Sequence, residues 1–289
     1  MRWLAQTLAV LSLNIRTIPA RLSSSAVAIV GIAGVVVVFV SVLSIAAGFT
    51  AAMQGSGSPD RALVMRSGAD SEMTSGLSGP DVDVIKQAPG LRREGQTPLA
   101  AAELVVIIDL PKKSSPDAPA NVPVRGIGPE SIPLRDEFAI VEGRMFKFGT
   151  NEVIAGLGAK GQFVNLSVGD AIVSGQNRWE VVGIFESDGG VAETEIWIDA
   201  RTLQGAYRRG NTYQSLLARL DSRDSFDTFR DWLTANPQLN VSIRRENEYY
   251  ATQSQALTRL IRTIGFGIAG LMGIGAVFGA ILTMYTAVS

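Results

Sequence analysis

The sequence contains no histidine and no cysteine. Without histidine the usual general base, proton shuttle and imidazole metal ligand are missing, and without cysteine there is no thiol nucleophile, disulfide, Cys-based zinc site or iron–sulfur ligation. Charge is also scarce, at 18% of residues against 46% hydrophobic, which is too apolar for an ordinary water-soluble domain. The charges that exist are unevenly placed. Arg2, Arg16 and Arg21 are the only ones before Asp60, and none follows Arg262.

The two uncharged runs are the first positive feature. Ala26–Phe49 is 24 residues of apolar and small side chains, about 36 Å as a helix, enough to cross the hydrocarbon core of a bilayer. Ile264–Val288 is a second run of the same kind. A cleaved signal peptide is the rival reading of the first run, but the run exceeds a normal signal core and about twenty residues precede it. Three arginines and no acid lie before the first span, so the positive-inside rule puts Arg2, Arg16 and Arg21 in the cytoplasm and the bulk of the chain outside it. Arg259 and Arg262, just before the second span, pull the other way, but the first span usually dominates. Beyond Arg21 there are 23 basic and 27 acidic residues, a balance that gives no electrostatic case for nucleic acid.

Five segments follow from these boundaries: a leader (1–22), a first span (23–49), an exported α+β domain (50–245), a stalk helix (246–263) and a second span (264–288). In the leader, Leu4, Leu8, Leu11, Ile15 and Ile18 recur at steps of three and four, the pattern of an amphipathic helix. Gly55-Ser56-Gly57-Ser58-Pro59 reads as a flexible exit linker. Strands are expected at Ala62–Met65, Ala101–Leu110, Val122–Ile127, Glu152–Ala155, Ala171–Ser174, Trp179–Phe185, Ile196–Ile198, Leu216–Leu220 and Val241–Ile243. Helices are expected at Pro80–Gln87, Asp199–Tyr207 and Phe226–Ala235. Lys112–Pro123, polar and rich in proline, reads as a surface loop. The order suggests a split β-α-β lobe (about 60–111 and 212–245) interrupted by a β-rich inserted lobe (about 120–207). From Glu246 no proline intervenes before the second span, so one continuous helix is expected, with Tyr250, Leu257, Leu260, Ile261 and Ile264 along one side. A kink at Gly265 or Gly267 is the competing reading.

Motifs for chemistry are weak. Gly156-Leu157-Gly158-Ala159-Lys160-Gly161 matches G-x-G-x-x-G, but the helix it would open is too short for a dinucleotide unit, and no Walker-type G-x-x-x-x-G-K-[ST] occurs. The acidic clusters Glu186/Asp188 and Glu193/Glu195 flank Gly189-Gly190 and could hold Ca²⁺, though their spacing fits no EF-hand; a solvated loop is the plainer reading. No enzyme activity, metal or bound cofactor is expected. In the second span Gly265, Ala269, Gly273, Ala276 and Ala280 form a stripe of small residues, and Gly275 with Gly279 adds a GxxxG, as in spans packed closely on other helices.

The motifs Val124-Arg125-Gly126-Ile127, Val141-Glu142-Gly143-Arg144, Asn151-Glu152-Val153-Ile154, Val168-Gly169-Asp170 and Val181-Val182-Gly183-Ile184-Phe185 stand between the two spans, and the second span ends in Leu282-Thr283-Met284-Tyr285-Thr286-Ala287-Val288-Ser289. In order and spacing this resembles the N-terminal half of FtsX-like or MacB-like ABC transporter permeases. The resemblance implies a periplasmic core domain with a porter-like lobe and an inserted β-rich lobe, in a bacterial inner membrane. It also implies a separate cytoplasmic ATPase that binds the ATP, a second permease copy in a homodimer and a periplasmic adaptor or membrane fusion protein. In that family the chain continues past the second span into a coupling segment and two more spans, so this sequence is expected to be a fragment of such a permease. The rival from another class is a two-span sensor or chemoreceptor input module, which shares the arrangement of spans around an exported domain.

Overall fold

The computed structural model describes residues 6, 22–54 and 56–288. The amphipathic leader, with Arg2, Arg16 and Arg21, lies outside the described residues apart from Gln6. The chain divides into two compact units, Ala51–Ser254 on the one hand and the flanking segments Met1–Thr50 and Gln255–Ser289 on the other.

The flanking unit consists of helix α1 (Leu22–Gln54) and most of the final helix, which runs unbroken from Glu246 to Val288. Within them Ile29–Ala51 and Glu246–Gly279 are long and apolar enough to cross a membrane. Branched and aromatic side chains such as Ile29 and Leu271 stand 66% and 73% exposed on these helices. Large apolar side chains in such positions need a cover other than water.

In the central unit, ten strands make one sheet: β1 (Arg61–Arg66), β2 (Ala100–Lys112), β3 (Ser115–Ile127), β4 (Phe138–Gly143), β5 (Glu152–Gly156), β6 (Ala171–Ser174), β7 (Asn177–Ser187), β8 (Ile196–Asp199), β9 (Ser215–Arg219) and β10 (Val241–Arg245). The spatial order is β10-β1-β9-β2-β3-β8-β5-β7-β4, with β6 also on β7. Short helices α2 (Gly79–Ile85), α3 (Leu157–Gln162), α4 (Ala200–Ala206) and α5 (Ser225–Ala235) join them, and the long final helix is α6.

Two split β-α-β units build the first lobe. β1-α2-β2 leaves room for β9 between its strands, and β9-α5-β10 leaves room for β1, because β9 pairs antiparallel to both β1 and β2 and β1 antiparallel to both β9 and β10. This is the ferredoxin-like arrangement. The inserted lobe occupies the interval from β2 to β9. Strand β2 belongs to both lobes, since Ala100–Glu103 register with β9 (Ala218–Ser215) and Leu104 onward with β3.

Alternation along β2 and β3 assigns the two faces. Ala100, Ala102, Leu104, Val106, Ile108 and Leu110 lie on the face covered by the short helices, in cores completed by Phe229 of α5 and Leu203 of α4. On the opposite face Ala101 joins a cluster with Met65, Leu134 and Tyr249, and Ile127 joins Ile154, Phe185 and Trp197. Phe185 and Trp197 are 4.2 Å apart, with Phe138 stacked on Trp197 at 5.3 Å. Glu103 and Arg125 stand on this second face too.

Three sequence expectations are corrected. Lys112–Pro123 is no loop: β2 and β3 continue as a hairpin arm, pairing Leu110 with Ala120 and Pro111 with Pro119. Prolines are tolerated because β8 pairs with β3 only from Val124 to Ile127, so Pro116, Pro119 and Pro123 meet no second ladder partner. Phe138–Gly143, where no strand was expected, is β4, an edge strand bulged against β7. The glycine and serine segment after α1 is pinned rather than free. Val191 N–H donates to Ser56 Oγ (2.9 Å), Ser58 N–H to Glu246 Oε2 (3.0 Å) and Arg245 Nη1 to the Pro59 carbonyl (2.9 Å). A Cβ on Gly57 would come within 2.8 Å of the Asn247 nitrogen, so only glycine passes there.

Because both lobes share β2 and one sheet, the segment Gly57–Arg262 is expected to fold alone and unfold in one cooperative transition. Phe229→Ala, at a fully buried position, should lower its stability by about 3–5 kcal/mol in urea unfolding.

Candidate functional site

The second face of the sheet carries a buried network of charges. Arg125 on β3 is at its centre, and all five of its N–H donors are used. Nε and Nη2 hold the two oxygens of Glu195 (2.7 and 2.8 Å), Nη1 and Nη2 hold those of Glu72 (2.9 and 3.0 Å), and Nη1 also reaches Glu103 (2.9 Å). Arg135 grips Glu103 bidentately at 2.7 and 2.8 Å and lies 5.2 Å over the Trp197 ring. Trp197 Nε1 donates to Glu195 and the Ser215 hydroxyl to Glu72. Arg125, Arg135, Glu72, Glu103 and Glu195 are all buried.

A second cluster adjoins it. Arg61, at the start of β1, donates to Glu246 at the first position of α6, to the Leu134 carbonyl (2.8 Å) and to Glu137 (2.7 Å). Glu72 N–H donates to the Tyr249 hydroxyl (3.2 Å), and Gln253 donates to the Asp70 carbonyl (2.6 Å). The first two turns of α6 are therefore held by the Arg61 side chain of β1 and by backbone groups of the segment that follows it.

Burial alone would neutralise these groups. Burial pushes the Glu103 carboxyl up, but the guanidinium groups of Arg135 and Arg125 outweigh it and hold the group at about 2. Glu72 is likewise lowered, Arg125 and Ser215 overcoming burial. Arg125 and Arg61 are raised, their carboxylates overcoming the cost of burial. Tyr249 is pushed up to about 12 by burial, reinforced by Glu72, so its hydroxyl stays protonated. The charges of Arg61, Glu72, Glu103 and Arg125 are thus fixed across the physiological range.

A cavity of about 200 Å³ lies against this network, lined by Arg61, Arg125, Arg135, Glu195, Glu246 and Tyr250 among others. Glu195, read in the sequence as part of a solvated acidic loop, is buried there. Its neighbour Glu193 instead accepts from Ser187 and Gly189 N–H at 2.8 Å and closes the loop. Among the described residues no group of three or more acidic side chains is placed to hold a metal. The G-x-G-x-x-G segment is a packing motif: a Cβ on Gly156 would collide with the Glu193 carbonyl. Helix α3, which it opens, has only six residues.

The stalk residues fall into different settings. Tyr250 lines the cavity and stacks edge-on with Tyr249 at 5.4 Å. Ile261 is half-buried, whereas Leu260 and Ile264 are exposed, and the Leu257 side chain lies outside the described residues. In the helix pair, a Cβ on Gly265 would collide with the Val42 side chain of α1, and Phe39 meets Phe266 at 5.6 Å. Thr50 and Thr258 hydroxyls are hydrogen-bonded at 3.2 Å. Ala269, Gly273 and Ala276 are half-buried and Gly275 and Gly279 exposed, and a Cβ on Gly273 or Gly275 would meet nothing within 4 Å. Ala280 has its side chain outside the described residues.

Sequence reading did not find the ion network. Its members are scattered from Arg61 to Glu246, and the only local sign is a lone charge, Glu103 or Arg125, inside an apolar strand.

The family model of the MacB-like periplasmic core domain matches residues 25–236, and the chain belongs to that family. Among solved structures it is similar to the extracellular domain of the ABC-type transporter YknZ from Gram-positive bacteria, with 14% identity over 64% of this chain and 100% of that chain and a TM-score of 0.48. The periplasmic region of MacB from Actinobacillus actinomycetemcomitans is similar at 13% identity, over 70% of this chain and 96% of that chain, with a TM-score of 0.49. No curated protein matches the chain.

Breaking the network on one side leaves unpaired buried charge, so Glu103→Gln should cost about 3–5 kcal/mol in denaturant unfolding. Acid titration gives the sign independently. Glu103 ionises at about 2 in the folded protein against an ordinary 4.5, so its contribution is full above that ordinary value and is lost as pH falls from it towards the folded value. The melting temperature of the wild-type domain should therefore fall through that window, and Glu103→Gln should flatten the fall.

Proposed function

We propose that this protein is a permease subunit of an FtsX/MacB-type ABC transporter, in which a separate cytoplasmic ATPase drives a periplasmic conformational change through the membrane helices. The observation that carries this reading is α6: one helix of 43 residues that starts among the ion pairs of a MacB-like domain and ends in a segment apolar enough to cross a bilayer. An unbroken helix transmits displacement along its axis with little loss, whereas a broken one absorbs it at the break. Membership of the MacB-like family supports the transporter assignment, and the two apolar helices support an inner-membrane location.

In this reading the domain is periplasmic, Arg2, Arg16 and Arg21 hold the N-terminus in the cytoplasm, and ATP binds to the partner alone. The face of α6 bearing Gly273, Ala276 and Ala280 packs on further spans, of this permease or of a second copy in a homodimer. A periplasmic adaptor receives the motion of the two lobes. The protein itself catalyses no reaction.

The absence of cysteine makes single-cysteine probes clean. Asp117→Cys, in the hairpin arm, is expected to react with a membrane-impermeant maleimide in intact spheroplasts, and Arg16→Cys only after permeabilisation; the reverse pattern overturns the topology. Nitroxides at Asp117 in two copies of the permease, reconstituted with its ATPase, should shift their distance distribution when ATP is trapped on the complex. A distribution unmoved by ATP would overturn the coupling.

A further inference from the structure

The polar contacts described above close on themselves. From Glu246 at the start of α6 the contacts run to Arg61 and on to Glu137 and the Leu134 carbonyl in the 131–137 segment. Arg135 of that segment holds Glu103, Glu103 meets Arg125, and Arg125 holds Glu72. The Glu72 backbone N–H returns to Tyr249, on the same first turn of α6. One branch leaves this ring at Arg125 for Glu195, and a second contact ties the same region of the inserted lobe to the segment after α1, through Val191 N–H and Ser56 Oγ.

We infer that this ring is a cooperative clamp, in which the root of α6, the segment 56–61 and the inserted-lobe stretch 187–196 are locked together and release together. Three features carry the inference. Arg61 and Arg125 each bridge carboxylates from different stretches of chain, and Arg135 shares Glu103 with Arg125, so no pair can be lost without leaving its neighbour a buried, uncompensated charge. All of these carboxylates except the half-buried Glu137 are buried with the arginines, so water cannot substitute for a lost partner there without opening the site. Gly57 is wedged against Glu246 and Asn247 with no space for a Cβ, so the segment 56–59 cannot shift while the root of α6 stays in place. The clamp rests on the transporter reading only for its use: there it would make a displacement of α6 reach both lobes at once instead of being absorbed at its root.

Hydrogen–deuterium exchange on the full chain in nanodiscs, without any ATPase, tests it. Glu246→Gln keeps an acceptor for Ser58 N–H but removes the charge opposite Arg61. It is expected to speed amide exchange by about tenfold or more, not only in 56–61 but also in 131–137 and 187–196, as one opening unit. Tyr249→Phe, which keeps the ring and removes the hydroxyl, should show the same linked pattern more weakly, and it decides the matter if Glu246→Gln fails to fold. Arg144→Gln, which breaks the exposed pair with Glu152, should leave all three segments unchanged. Faster exchange confined to 246–250, or the three segments responding independently, would overturn the clamp while leaving the transporter reading intact. A linked response together with ATP-insensitive nitroxide distances would do the opposite.

Discussion

Everything on the second face of the sheet depends on the cost of dehydrating Arg125. A guanidinium taken out of water without compensation is several kcal/mol unfavourable, and here it is recovered by filling all five donors with three carboxylates. That solution creates a further demand, because three carboxylates around one cation leave an excess of negative charge. Arg135 offsets part of it at Glu103, and it is anchored in turn by its own Ser131 carbonyl contact at 3.2 Å and by the face of Trp197. The network is therefore not a set of independent salt bridges. Each member is present because another would be uncompensated without it, and the stretches that carry them are far apart in sequence, from the turn after β1 to the segment before β8.

The apolar part of the domain explains why such a network is dry. β2 is buried along nearly its whole length, with the short helices over its even-numbered residues and aromatic and aliphatic clusters over much of the other face. Two of those clusters, one around Met65 and Leu134 and one around Phe185 and Trp197, share this face with Glu103 and Arg125. The hydrophobic clusters supply most of the stability, being non-directional and proportional to area. The ion network contributes less to stability than to selection, since its fork-shaped donors accept one register and one arrangement of chain segments.

Much of the fold was legible because it follows from period and punctuation. The run AAELVVIIDL announces a buried strand, Pro80 starts α2, Asn236-Pro237 ends α5, and the charge gaps mark both apolar helices. The strand and helix patterns on either side of the insertion are legible for the same reason. What could not be read was whatever depends on a distant partner. Pro116, Pro119 and Pro123 suggested a loop, and only the short reach of β8 explains why they sit in a ribbon. Gly55 to Pro59 has the composition of a free linker, and the anchoring of residues 56–59 comes from Glu246 and Val191, far along the chain. Glu195 shares its local context with the partly exposed Glu193, and only Arg125 distinguishes them.

Along α6 the physics of attachment changes while the helix does not. Its first turns are held by directional contacts, through Glu246, Tyr249 and Gln253, whose strength depends on the exclusion of water. At Gly265 the contact is apolar and close-fitting, with the glycine giving up a side chain so that Val42 of α1 can approach. Such packing needs no water to be excluded by the protein itself, and it works equally well in hydrocarbon. Gly265 and Gly267, which on propensity alone would weaken the helix, lie inside an unbroken stretch; in the bilayer of the proposed function a broken helix would expose backbone groups with nothing to bond. The apolar composition that fits one end of α6 to a bilayer would there enforce its continuity, while the charges at the other end fix what that continuity is attached to.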